Sequence, residues 1–250
     1  RSGQLKEKMK WAILSDVHGN LEALRATIQD LRGQGARQVA FLGDVVGYGA
    51  NPNECLALLR ELTEWVVAGN HDCGAVGLTD IDTFTSAART AVLWSQQQLS
   101  TENIAYLRRL PLWHQKEGIT FVHASPNAPA EWNYMITFPE AEEGFHALAG
   151  DLAFVGHTHQ PLALAKEAKG EVQVINPEEV ILKEGIRFII NVGSVGQPRD
   201  SNPQAAYGLY DDVAKKYILK RVTYDIQAAQ KKIIKAGLPP FLAQRLAKGI

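Results

Sequence analysis

The sequence is short of cysteine: Cys55 and Cys73 are the only two in 250 residues. Two cysteines make no disulfide framework and fit a reducing compartment. An excess of either charge is missing as well. Lys and Arg number 26 against 27 Asp and Glu, for a formal net charge of -1. That balance excludes the basic footprint of a general nucleic-acid binder. No apolar run approaches the roughly 20 residues of a membrane helix, and no secretory signal is visible. Internal repeats, low-complexity tracts and Gly/Ser linkers are also lacking. These absences predict a soluble, cytoplasmic protein with no membrane or nucleic-acid partner.

What is present is enough apolar material, 46% of residues, to bury a core. Residues 1–8 are polar and read as a remnant of cloning ahead of a natural start at Met9, with a genuine short N-terminal extension as the competing reading. Residues 9–250 then form a single domain, with a helical insertion over about 74–150. Short apolar runs at Trp11–Leu14, Val39–Leu42, Val66–Ala68, Ile119–Val122 and Leu152–Val155 read as buried strands. Between the first three lie two amphipathic segments. Asn20–Gln34 sets Leu21, Leu24, Ile28 and Leu31 on one face. Asn51-Pro52 opens the other as a capping side chain with Pro at the first helical position. The β-α-β-α-β order over 11–68 predicts a parallel sheet with helical crossovers.

Further helices are expected over 83–98 and 101–109, capped by Asp82 and Ser100, and over Pro139–Ala149. After His159 the pattern turns strand-rich, with strands expected at Glu171–Ile175, Val180–Lys183, Arg187–Asn191, Tyr207–Asp211 and Lys216–Val222. A helix over Ile226–Ala236 and a short one after Pro240 close the chain.

Each early strand runs into a polar motif. In order these are Asp16-Val17-His18, Gly43-Asp44, Gly69-Asn70-His71-Asp72, a lone His123, and Gly156-His157-Thr158-His159. Open α/β sheets build their sites just past the carboxyl ends of strands. A carboxylate and an imidazole two residues apart suit Mn, Fe, Zn or Ni better than Ca or Mg. Asp44 has two oxygens and could bridge two cations, and Gly43 permits a close backbone approach. Asn70 offers a neutral oxygen, and the ordinary pKa of His71 suits it to donate a proton. Two imidazoles one residue apart in Gly-His-Thr-His are the strongest single sign of metal ligation. Singly, each motif has a bland reading as a turn, a cap or a core histidine. Jointly they point to a hydrolase using two metal ions.

The order D-x-H, G-D, G-N-H-D, H, G-H-x-H resembles the calcineurin-like metallophosphoesterase superfamily over Met9 to Gly196. Within it, Ser15–Asn20, Gly43–Gly49 and Asn191–Arg199 resemble the bacterial and archaeal small phosphodiesterase branch. The resemblance implies an α/β fold of two packed mixed β-sheets flanked by helices, with a dinuclear site at one edge. Carried over by position, Asp16, His18 and His159 would hold the first metal. Asn70, His123 and His157 would hold the second, with Asp44 bridging. His71 would be the general acid or the phosphoryl contact. The implied chemistry is hydrolysis of a small phosphate ester, a diester above all, by hydroxide that two divalent ions make available near neutral pH.

Two departures narrow this expectation. The run Gly43-Asp44-Val45-Val46-Gly47-Tyr48-Gly49 lacks the second Asp and the Arg of the G-D-x-x-D-R-G stretch found in serine/threonine phosphatases and symmetrical dinucleoside tetraphosphatases. That argues against a protein phosphatase and weakens a dinucleoside polyphosphate substrate. Val192 stands where relatives often have Pro, a difference read as structural. Arg199, in a Gly/Pro loop, is a candidate phosphate grip, with a surface pair to Asp200 as its bland reading. Tyr48, Trp132 and Tyr134 are read as loop packing, with stacking on a base or aryl group as the alternative. Cys73 is expected to be a buried filler, and His114 and His146 surface residues. A non-catalytic scaffold of the same fold lacks the histidine after the motif Asn, which this chain keeps as His71. Nuclease relatives carry added DNA-binding regions that this short, near-neutral chain does not.

Overall fold

A computed structural model describes residues 10–250, so residues 1–8, read above as a remnant of cloning, lie outside them. The first sheet begins with β1 (Lys10–Leu14), β2 (Gln38–Phe41) and β3 (Trp65–Val66), joined by α1 (Leu21–Gly33) and α2 (Pro52–Leu62). β1 pairs parallel to β2, and β2 to β3, as the β-α-β-α-β reading requires. The short helix α3 (Asn70–Ala75) follows at once. Then come α4 (Ser86–Gln98), α5 (Thr101–Leu107), β4 (Trp113–Lys116), β5 (Ile119–Val122), α6 (Phe138–Ala147) and β6 (Leu152–Val155). The 74–150 stretch therefore carries helices and also two strands of the second sheet.

The remainder is β7 (Leu162–Glu167), β8 (Gln173–Ile175), β9 (Glu179–Ile181), β10 (Ile186–Asn191), β11 (Ala205–Asp211), β12 (Lys216–Val222), α7 (Ile226–Lys235) and α8 (Pro240–Gln244). One six-stranded sheet has the order β3-β2-β1-β11-β12-β9 and the other β4-β5-β6-β10-β7-β8. In the second sheet β5, β6 and β10 run parallel, while β4, β7 and β8 pair antiparallel. Both sheets are thus mixed.

The period-2 alternation of strands explains how the layers stack. On β1, Trp11 and Ile13 point into a core shared with Phe121, Phe154, Ile190, Tyr210 and Tyr217 between the sheets. Ala12 and Leu14 point the other way, into a second core under α1 and α2. A strand buried on both faces must be apolar at every position, which is why these strands read as unbroken runs. A third cluster, with Val122, Phe145, Val155 and Ile189, seats α6 on the outer face of the second sheet. The order is helix, sheet, sheet, helix.

Some local expectations change. Asn51 precedes Pro52 as expected, but its side chain donates to Glu54 (2.9 Å) and makes no cap bond. Thr85, not Asp82, caps α4 by accepting from the Ala88 N–H, and Asp82 pairs instead with Arg89. Ser100 caps α5 as expected. β4, β7 and α3 were not legible in the sequence pattern. His114 is half-buried against Trp65 (ring centroids 5.2 Å apart), not a surface residue, whereas His146 is exposed.

Candidate metal centre

The carboxyl ends of β1, β2 and β3 from one sheet meet those of β5 and β6 from the other. Asp16 and His18 follow β1, Asp44 follows β2, Asn70 and His71 open α3 after β3, His123 follows β5, and His157 and His159 follow β6. All eight are buried. The loops that carry them are strained. Asp16, His18, Asp44, His157 and His159 have φ of 55°, 50°, 61°, 66° and 60°, in the left-handed region. Each such non-glycine residue costs on the order of 1–3 kcal/mol, and strain of this kind persists where the surroundings over-determine it. Gly43, at φ 96°, lets the Asp44 loop pass the next motif, since a Cβ there would sit 2.5 Å from the Gly69 nitrogen.

Backbone carbonyls fix the histidine tautomers. His18 Nδ1–H donates to the Val46 carbonyl (2.9 Å), His123 Nδ1–H to Leu42 (2.7 Å) and His159 Nδ1–H to Gln197 (2.6 Å). A carbonyl only accepts, so in each neutral ring the proton is on Nδ1 and Nε2 keeps a lone pair. Those Nε2 atoms converge. His18 Nε2 lies 3.0 Å from His159 Nε2, and His159 Nε2 lies 3.3 Å from Asp16 Oδ1. His123 Nε2 lies 3.2 Å from Asn70 Oδ1, 3.2 Å from His157 Nδ1 and 3.3 Å from Asp44 Oδ2. Asp44 Oδ2 is also 3.6 Å from His18 Nε2, so the one carboxylate touches both clusters.

Lone pairs aimed at one another repel unless something positive lies among them. Burial alone would raise the Asp16 carboxyl, but the His159 and His18 rings facing it hold it well below the ordinary carboxylate range. Asp44 is likewise burdened by burial and yet held low, chiefly by the charge of His123. Burial lowers the His123 ring, and Asp44 overrides it and draws it up to about 9, so without a cation this ring holds a second proton on Nε2, facing Asp44, where a bound cation would take the proton's place. Burial pushes His157 down to about 4 and His159 down to about 3. Asp16 Oδ1 is buried and receives no hydrogen bond among the described residues. Such a set calls for cations. Asp16, His18 and His159 form one group with metal-ligand spacing, and Asp44, His123 and His157 form another. A third group joins His18, Asp44 and His71, which brings His71 closer to ligand geometry than the sequence suggested.

Residues 9–213 match the calcineurin-like phosphoesterase superfamily domain. This chain belongs to that superfamily. It is 40% identical over 243 residues to MJ0912 of Methanocaldococcus jannaschii, covering 95% of this chain and 97% of that protein. The solved structure of a metallophosphoesterase from Sphaerobacter thermophilus is 38% identical and superposes with a TM-score of 0.86, over 97% of this chain and all of that one. Phosphodiesterase YfcE of Escherichia coli is 25% identical over 213 residues, covering 82% of this chain and 88% of that protein. The protein is therefore a hydrolase of a phosphoesterase family that depends on divalent metal. Its site offers His and Asp groups able to bind such ions.

Around this phosphoesterase centre, a cleft of about 830 Å³ opens over Asn70, His71 and His157. Most of its lining comes from the stretch between Thr79 and Glu143. Arg199 reaches it from the loop after β10. Its guanidinium donates twice to Gln197 Oε1 (3.2 and 2.8 Å) and lies 5.6 Å from the Tyr48 ring centre. Its bland reading fails, because Asp200 pairs with Arg221 instead. Tyr48 packs its ring on His18 and His71, with centroids 4.6 and 4.5 Å away. Cys73 is buried, as expected of a filler.

Three supporting residues escaped the sequence reading. Asp72 accepts N–H bonds from Asp44 (2.7 Å), Val45 (2.9 Å), Val46 (3.2 Å) and Gly69 (3.1 Å), clamping the Asp44 loop to the start of α3. Burial, reinforced by the Asp44 charge, pushes its carboxyl up to about 7 against the pull of the Gly69 and Val46 donors. Ser194 donates its hydroxyl to the Asp16 carbonyl (2.8 Å), and Asn20 donates its amide to Gly196 (2.8 Å). The signal for all three was their place inside the quoted motifs, where only the ligand types had drawn attention. No helix among the described residues is long and apolar enough to cross a membrane.

Proposed function

We propose that the protein hydrolyses phosphodiesters with two divalent transition-metal ions, Mn, Fe, Zn or Ni. Asp16, His18 and His159 would hold one ion, Asn70, His123 and His157 the other, and Asp44 would lie between them. The observation that carries this reading is the convergence of the Nε2 atoms of His18, His123 and His159, each ring held by an Nδ1–H bond to a backbone carbonyl. When bound, such ions acidify water and neutralise the charge of phosphoryl oxygens.

The chain's own residues supply the rest. Arg199 projects into the cleft with its planar fork already oriented by Gln197, so little freedom is lost when it grips a phosphate oxygen. His71 lines the same cleft, and its backbone N–H donates to Asp44 Oδ1 (2.8 Å), which fixes where its ring can lie. Burial pushes the His71 imidazole well below its ordinary pKa, partly offset by Asp44. A phosphodiester anion beside it favours the protonated ring, which makes His71 the candidate to protonate the leaving oxygen.

The test is hydrolysis of bis-p-nitrophenyl phosphate by purified protein with added Mn²⁺, against the same sample stripped by chelator. The expected outcome is turnover that requires the metal and returns when it is restored. Folded, metal-loaded protein with no turnover would favour a scaffold of the same fold.

A further inference from the structure

Four aromatic side chains line the cleft beside its buried histidines. Tyr48 lies against His18 and His71, and Phe84 lies 5.1 Å from His71. On the side of the second cluster, Trp132 stands 6.0 Å from His123, and Tyr134 stacks on His157 at 4.1 Å with the planes 29° apart. Loop packing alone accounts poorly for this second pair. Tyr134 remains 47% exposed. Trp132 holds a left-handed backbone, φ 56°, which is costly for a bulky residue, and its indole N–H is tied to Thr79 Oγ1 (3.2 Å) across the cleft.

Charge along the cleft is lopsided. Arg199 is the one Lys or Arg in its lining among the described residues, and it sits with Tyr48 at the metal end. The exposed part of the lining carries the carboxylates of Asp80, Glu131 and Glu143, and none has an ion-pair partner among the described residues. A single phosphate held at the ligand clusters meets Arg199. A further phosphate that runs along the cleft would lie among carboxylates, with no second Lys or Arg in the lining to receive it.

We infer that the cleft selects a diester with one phosphate and a planar nucleoside base, and rejects polyphosphate chains. Flat rings bind on aromatic faces through dispersion and area burial, and a base also offers N–H groups to the rim carboxylates. Trp132 and Tyr134 set the specificity on this view. The inference rests on the phosphodiesterase reading above.

The experiment compares thymidine 5′-(p-nitrophenyl phosphate) with methyl p-nitrophenyl phosphate on the Mn²⁺-loaded full chain. The leaving group is the same in both, so the ratio of kcat/KM values reads the base alone. The expected ratio is tenfold or more in favour of the nucleoside ester, and it falls towards one in Trp132→Ala and in Tyr134→Leu. Tyr134→Leu alters a half-exposed side chain and keeps the test usable if Trp132→Ala folds poorly. Calorimetric titration with thymidine monophosphate and methyl phosphate gives the same comparison without turnover. For the charge half, the parent should cleave diadenosine tetraphosphate less efficiently than the thymidine ester. Glu131→Gln with Glu143→Gln should raise that rate several-fold at low salt. A ratio near one in the parent, a ratio unchanged in both aromatic variants, or preference for the tetraphosphate would each overturn the inference while leaving the phosphodiesterase reading intact. No turnover of either ester would overturn both.

Discussion

At the scale of single residues, the site separates side chains that face the cleft from side chains that hold them. His71 is of the first kind. Replacing His71 with Ala should lower kcat by about 100-fold or more, the usual worth of a general acid. Bound metal measured by elemental analysis should stay at the parent level. Loss of metal would instead make His71 a ligand, as its grouping with His18 and Asp44 allows. Asp72 is of the second kind. Both of its oxygens accept two backbone N–H bonds. Asp72→Asn turns one oxygen into a donor facing donors, so it should cost about 3 kcal/mol in chemical denaturation of the metal-free protein. It should also weaken metal retention, because the Asp44 loop is what Asp72 holds. The sequence made the ligand types visible because carboxylate and imidazole carry their chemistry in their identity. It could not make Asp72 visible, since an acceptor of backbone N–H groups is defined by neighbours 26 to 28 residues away.

At the scale of elements, legibility followed burial. Strands buried on both faces, such as β1 and β6, showed as apolar runs. β4 did not, because it is an edge strand whose sequence Trp-His-Gln-Lys alternates exposed and half-buried positions. β7 was missed for a different reason. Its Leu162-Ala163-Leu164-Ala165 alternates large and small apolar residues straight after Pro161, which offers neither a polar alternation nor a clear start. α3 spans six residues, too few for a periodic pattern, and all of them are buried for the sake of the site. What joins these elements is the set of strand-end turns. Gly43 is the tightest test of that. Gly43→Ala places a Cβ against the Gly69 backbone at a φ that L-residues avoid, so it should destabilise the fold by more than about 2 kcal/mol. Urea denaturation of the metal-free protein checks this, and an unchanged midpoint would mean that the two loops separate freely.

At the scale of the whole molecule, the two sheets share a core and also share the site. Asp16, His18, Asp44 and Asn70 come from the first sheet, and His123, His157 and His159 from the second. Ions held by this set would therefore join the sheets at one edge, as the aromatic core joins them behind it. That division of ligands was not visible in the sequence, which gives the order of motifs but not which strands share a sheet. It has a thermodynamic consequence. A ligand that binds only the folded chain stabilises it by about 2.7 kcal/mol at a hundred times its dissociation constant. For a chain of this length each kcal/mol raises Tm by roughly 2–4 °C. Saturating Mn²⁺ should then raise Tm by about 5–10 °C over chelator-stripped protein, and more if both ions bind tightly. Asp44→Asn should remove most of that increment, since Asp44 touches both clusters. Scanning calorimetry with and without Mn²⁺ makes the measurement. An equal Tm in the two conditions would mean that the edge holds together without cations, despite the crowding of ligand atoms at 3.0–3.3 Å seen there.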